Sequence, residues 1–218
     1  MQLTITLILI IITTIISLTG FSSQKVVNDL IFYPPAISRN NEWYRFFTCG
    51  LIHADFGHLA FNMLALYFFG DTVESLFRQL YGKPGGLLYL LLYVSALLVS
   101  LLPTYLRHKT NYSYRSLGAS GAVSAVVFAG LVLAPSMEIF IFFIPIPIPG
   151  FIFAPLYLLI TFWLDRRGGG NINHSAHLWG SVYGALFVIV AALAIGFPVM
   201  KNFTWQVEAY LRSKGWLK

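Results

Sequence analysis

Charge is the scarcest feature of this sequence. Only 10% of its 218 residues are Asp, Glu, Lys or Arg, against about 25% in a soluble globular domain. That shortage excludes an ordinary water-soluble fold. Cysteine is nearly absent too: the single Cys49 rules out an intramolecular disulfide. There are no internal repeats, no low-complexity segments and no separate soluble domain. A metal site would need three or four histidines or carboxylates at ligand spacing; His174 and His177 alone are too few, so no metal or cofactor is implied. The net charge of +6 does not point to nucleic acid, because the basic residues lie scattered between apolar runs and form no stripe. In a membrane protein such charges belong to loops and lipid headgroups.

What fills the chain instead is hydrocarbon. Hydrophobic residues make up 57% of it, and the mean hydropathy is +0.73. Crossing roughly 30 Å of hydrocarbon takes about 20 apolar residues. Six stretches qualify or come close: about 3–20, 58–77, 86–106, 118–134, 151–165 and 176–198. Lipid offers no partner for backbone amides, so these read as helices and the expected fold is an all-α, six-helix membrane bundle over residues 1–200. The first stretch lacks both a basic flank and a small-x-small cleavage site, so it reads as a retained span rather than a signal peptide. The run Pro-Ile-Pro-Ile-Pro-Gly at 145–150 cannot be helical, since each proline removes an amide donor. Residues 135–150 therefore read as an apolar connection on or dipping into the membrane.

The longest connection, 21–57, exceeds what a helix hairpin needs. Its aromatics (Phe32, Tyr33, Trp43, Tyr44, Phe46, Phe47) point to order and contact with the lipid interface. The tail, 201–218, carries Trp205, Tyr210 and Trp216 beside Arg212, Lys214 and Lys218, which suits a short amphipathic interfacial helix. Six spans put both termini on one side, where loops and tail hold six Lys/Arg against eight on the other. The positive-inside rule does not choose between those sides.

Polar groups at membrane depth are functional candidates by default. The second span opens with His58 and Asn62, four apart and so on one helical face. The fourth opens with Gly118-Ala119-Ser120-Gly121. The sixth opens with Ala176-His177, followed by Gly180 and Gly184 at a spacing that lets helix backbones approach closely. Singly, each has an ordinary reading: a packing serine, a capping histidine, an asparagine bonded to a neighbouring helix. Jointly they say more. Alternate spans run in opposite directions, so the second, fourth and sixth begin on one side and share one depth.

The parts of an acyl-transfer site then coincide. Ser120 is the candidate nucleophile and His177 its base. Gly118, Gly121, Gly180 and Gly184 let the fourth and sixth helices meet. His58 and Asn62, with backbone amides near Ser120 such as that of Ala119, are candidate donors to an oxyanion. No carboxylate lies at the depth of His177, so the reading is a dyad. His174 competes for the role of base but sits in a loop-like run; Ser124, Ser175 and Ser181 read as packing or capping residues.

These motifs resemble the rhomboid family of intramembrane serine proteases. Gly-x-Ser-Gly is similar to 118–121, His-x-x-x-Asn to His58 and Asn62, and Ala-His-x-x-Gly-x-x-x-Gly to 176–184. Gly70-x-x-x-Glu74 resembles a structural motif of the family. Glu42-Trp43-Tyr44-Arg45 resembles its aromatic–arginine motif and implies that Arg45 braces the first loop. The resemblance implies a serine endopeptidase that cuts transmembrane helices of other proteins within the bilayer. It also implies a multi-pass protein of the bacterial inner membrane, with the active site open to the non-cytoplasmic side. One departure stands out: where many bacterial members stack an aromatic on the catalytic histidine, this chain has Ser124.

The fifth span, short and preceded by prolines, reads as a gate, and Gly168-Gly169-Gly170 as a mobile cap. Small residues around the site imply a small side chain just before the cut. Two rivals remain: a catalytically idle relative that binds membrane clients, like the derlins, and a transporter, for which no inverted repeat is evident.

Overall fold

The computed structural model describes residues 3–141, 144–170 and 172–217. The chain is mostly helical. Helix α1 (Ile5–Ser22) leads into three short helices, α2 (Gln24–Leu30), α3 (Pro34–Asn40) and α4 (Arg45–Thr48). Then come α5 (Phe56–Ala65), α6 (Asp71–Tyr81), α7 (Gly85–His108) and α8 (Ser120–Leu133). A β-hairpin (β1, Glu138–Ile141; β2, Ile144–Pro149) precedes α9 (Gly150–Arg167), α10 (His174–Ala194) and α11 (Val199–Ser213).

Among the described residues, three helices are long and apolar enough to cross a membrane: α1, α7 and α10. The other three expected spans take different forms. The second is α5 and α6 joined through a widened turn at Leu66–Gly70. That turn brings Gly70 against Tyr89 Oη and Thr6 Cγ2, which an added Cβ would meet at 2.7 and 2.8 Å. The fourth, α8, has only 14 residues. The fifth, α9, has 18 residues and carries Asp165, Arg166 and Arg167 at its end.

Residues 135–150 correct the all-α expectation. The prolines do exclude a helix, but β1 and β2 pair antiparallel, with Glu138 opposite Pro149 and Ile139 opposite Ile148. Proline tolerates extended backbone on an edge where no N–H is needed, and a two-stranded hairpin has only edges.

Helix α8 is the centre of the bundle. Gly, Ala, Ser and Val dominate its sequence, and nearly every residue from Gly121 to Leu133 is buried. Small side chains let α7 and α10 close around it. An alanine Cβ at Gly180 would overlap the carbonyl of Gly121, and one at Gly184 the carbonyl of Ala125. This is the close approach that small-xxx-small spacing permits.

Two polar locks hold the periphery. Glu74, 2% exposed, accepts from Ile5 N (3.2 Å), Thr6 N (2.9 Å) and Thr6 Oγ1 (3.0 Å), so it caps α1 from α6. Arg78 supplies the counter-charge at 2.8 Å. In the first loop, Arg45 pairs with Glu42 and donates through Nη1 to the carbonyls of Asn28 (2.8 Å) and Ile31 (2.9 Å). Phe46 packs between Phe32 (5.3 Å), Tyr105 (5.6 Å) and Trp43 (5.8 Å). The long loop is thus an ordered, aromatic-cored layer, and Arg45 bonds across it as a brace.

Candidate active site

The loop ahead of α8 is pinned on both flanks. Phe32 and Ser116 exchange two backbone hydrogen bonds (3.0 and 3.1 Å), and Gly118 N donates to Cys49 O at 2.9 Å. Gly118 has φ +111°, and a Cβ there would lie 2.7 Å from the His58 ring. Only glycine satisfies both the dihedral and the contact. Helix α8 then starts at Ser120, so the amides of Ser120, Gly121 and Ala122 in its first turn have no intrahelical acceptor.

Helix α10 starts from Asn173, whose Oδ1 accepts from Ala176 N (3.0 Å) and from Thr104 Oγ1 of α7 (3.2 Å). Its Nδ2 reaches Ser116 Oγ at 3.4 Å. This cap ties the start of α10 to both α7 and the loop before α8. One turn on, His177 Nε2 lies 2.7 Å from Ser120 Oγ. His174 is the first residue of the helix; its ring centre is 6.1 Å from that of His177, and it takes no part in the pair.

His58 and Asn62 occupy one face of α5. Asp55 caps that helix, accepting from His58 N at 2.8 Å. His58 Nδ1 accepts from Ala54 N at 3.5 Å, which leaves the proton on Nε2, the ring edge facing Gly118. Asn62 commits one Nδ2 hydrogen to His58 O (3.0 Å) and retains a second. A cavity of about 530 Å³ is lined by His58, Asn62, Gly118, Ser120 and His177 together. Among the candidates, Gly121, Gly180 and Gly184 form the α8–α10 contact, while Arg45 and Glu74 stand apart as supports.

Ala119 behaves differently from the expectation. Its N–H donates to His53 Nε2 at 3.4 Å and so is committed away from the cavity. His53, 3% exposed, donates in turn through Nδ1 to Ser17 Oγ (2.9 Å), whose own hydrogen goes to Leu51 O (2.9 Å). Burial, with a smaller contribution from neighbouring His58, pushes His53 down to about 4, so the ring is neutral and can accept. The motifs singled out in the sequence do not include His53. Asn173 carried a readable signal, an Asn just before an apolar helix.

Ser124 does not stack on His177. Its Oγ lies 3.4 Å from Tyr157 Oη of α9, and Tyr157 packs on Phe128 with ring centres 5.5 Å apart.

The match to known proteins covers the same elements. A family model described as a rhomboid domain matches residues 40–194, from the end of α3 to the end of α10. The chain belongs to the rhomboid family. This rhomboid is 31% identical over 180 residues to "RHOMBOID-like protein 12, mitochondrial" of Arabidopsis thaliana, covering 76% of this chain and 51% of that protein. It is 30% identical over 149 residues to "Putative rhomboid protease YdcA" of Bacillus subtilis (strain 168), covering 67% of this chain and 66% of that one. It is also 31% identical over 161 residues to "Rhomboid protease GluP" of the same strain, covering 72% of this chain and 27% of the relative. The rhomboid thus spans from about a quarter to two thirds of the length of these relatives. Because they include bacterial and mitochondrial proteins, membership gives a membrane location and not one particular membrane.

Proposed function

We propose that this rhomboid is an intramembrane serine endopeptidase with a Ser120–His177 dyad, acting on transmembrane segments of other proteins. The observation that carries the reading is the 2.7 Å contact between His177 Nε2 and Ser120 Oγ, within a cavity also lined by His58 and Asn62. Ser120 Oγ attacks the scissile carbonyl while His177 Nε2 takes its proton. The tetrahedral oxyanion accepts from His58 Nε2–H, the second Asn62 N–H and the Ser120 amide at the α8 N-terminus. His177 returns the proton to the leaving amine, which departs and leaves an acyl ester on Ser120. Water, deprotonated by the same nitrogen, then hydrolyses the ester.

The six-crossing topology belongs to this proposal, with α5–α6, α8 and α9 completing the three longer spans. The cavity then opens to the side that holds the 21–57 loop, the non-cytoplasmic side in a plasma membrane. Helix α9 acts as the gate, hinged on the β-hairpin and held to α8 by Tyr157 and Ser124.

The test is cleavage of a model transmembrane substrate in proteoliposomes by wild type, Ser120→Ala and His177→Ala. Cleavage lost in both variants supports the reading. A wild type that binds the substrate without cutting it would make this a client-binding rhomboid instead.

A further inference from the structure

Most of the basic side chains near the aqueous rim or the supports of the site are already engaged. Lys25 pairs with Asp29, Arg45 with Glu42 and Arg107 with Asp165. Arg39, outside the cavity, lies over Tyr112, and Arg166 over Phe162. Arg115 differs. It is exposed, it lines the same cavity as Ser120 and His177, and among the described residues its guanidinium meets no carboxylate. Its contacts are the Tyr112 carbonyl, 3.3 Å from Nη1, and the face of Tyr33, 4.4 Å from the ring centre.

The other charged residue lining that cavity is Asp55. Its carboxylate is engaged as the cap of α5, accepting from His58 N. The positive charge of the cleft thus sits on the α8 side, unpaired with the Asp55 carboxylate at the start of α5. It is also pre-positioned. Arg115 adjoins Ser116, fixed by the paired bonds to Phe32, and Tyr114, stacked on His108 at 3.8 Å. Binding an anion there requires little ordering of backbone, and the planar guanidinium offers two parallel donors to a carboxylate.

We infer that Arg115 is a specificity-determining residue of the cleft, selecting substrates with an acidic side chain on the aqueous flank of the scissile bond. The inference rests on the proteolytic reading above and names the substrate class of that site.

The experiment uses the full chain in phosphatidylcholine vesicles. One transmembrane substrate carries Glu, Gln or Lys in turn at each position on the aqueous flank of its cleavage site. Wild type, Arg115→Gln and Arg115→Glu are compared by the ratio of kcat/KM between substrates within each enzyme, so that a general loss of activity or folded fraction cancels. Wild type should prefer Glu over Gln by about threefold at one or two positions, and the preference should shrink with added salt. Arg115→Gln should flatten the ratio, and Arg115→Glu should reverse it in favour of Lys. Equal ratios in all three enzymes would overturn the inference while leaving proteolysis intact. So would a dependence on Arg115 that appears only with anionic lipid and ignores the substrate residue, since that assigns the guanidinium to a headgroup phosphate. Cleavage that survives Ser120→Ala, or no cleavage at all, would overturn the proteolytic reading itself and the inference with it.

Discussion

Replacing Gly180 with alanine perturbs the contact that holds Ser120 and His177 in register. An added Cβ would overlap the Gly121 carbonyl oxygen and come within 2.9 Å of its carbon and 3.1 Å of Cα. These are backbone atoms, so no side chain can swing aside. Ordinary Cβ contacts lie at 3.4–4 Å, so α8 and α10 must part by about 1 Å, because a close-packed interior transmits strain rather than absorbing it. Gly121 is adjacent to Ser120, and Gly180 is one turn from His177. Their 2.7 Å contact would open to roughly 3.5 Å, outside hydrogen-bond range. A misplacement of that size lowers turnover about 100-fold, while overpacking removes about 1–3 kcal/mol of stability. Gly20→Ala is the control, since its Cβ would meet Ile52 and Val27 at 3.6 and 3.7 Å, and full activity is expected. The assay is cleavage of a transmembrane substrate in detergent, with a melting curve to count folded enzyme. Gly180→Ala with wild-type turnover and wild-type melting would show that the α8–α10 contact does not hold the dyad in place.

Three further outcomes follow from the locks around the site. Glu74→Ala strips the cap from the buried start of α1; thermal melting should show a loss of about 2–3 kcal/mol, larger than that of Glu74→Gln. The unfolded chain protonates His53 near 6.5 and the folded chain only near 4, so the stability tied to neutral His53 is whole above pH 6.5 and declines as pH falls towards 4. Melting of wild type across that window should drop by up to about 3 kcal/mol, and His53→Asn should drop less. Asn202 and Gln206 of α11 both donate to Leu133 O, at 3.3 and 2.8 Å, satisfying the C-terminus of α8. Their double replacement by alanine should cost about 1–2 kcal/mol in the same melting assay.

Hydropathy made most of the helices legible, because a helix in lipid must be apolar over its length, and the polar exceptions at 58, 62, 120 and 177 then stood out. Alternating helix direction places those four residues at one depth, and in the structure their side chains line one cavity. What stayed hidden depended on pairing between distant segments. The prolines of 145–150 announced the end of a helix but not a partner strand, since the register of Ile139 with Ile148 leaves no local mark. His53 was hidden because its role comes from Ser17 on α1 and Ala119 before α8, 36 and 66 residues away. The missing aromatic at Ser124 was visible, whereas Tyr157, which reaches it from α9, was not. The widened turn at 66–70, which sets Gly70 against Thr6 and Tyr89, was equally silent.

The proteolytic reading stands or falls on Ser120 being an activated nucleophile. The direct measurement is labelling of purified protein in detergent with a fluorophosphonate probe, beside Ser120→Ala and His177→Ala. Covalent labelling of wild type that both substitutions abolish is expected. Folded wild type that takes up no probe, or a His177→Ala variant that labels as fast as wild type, would contradict it.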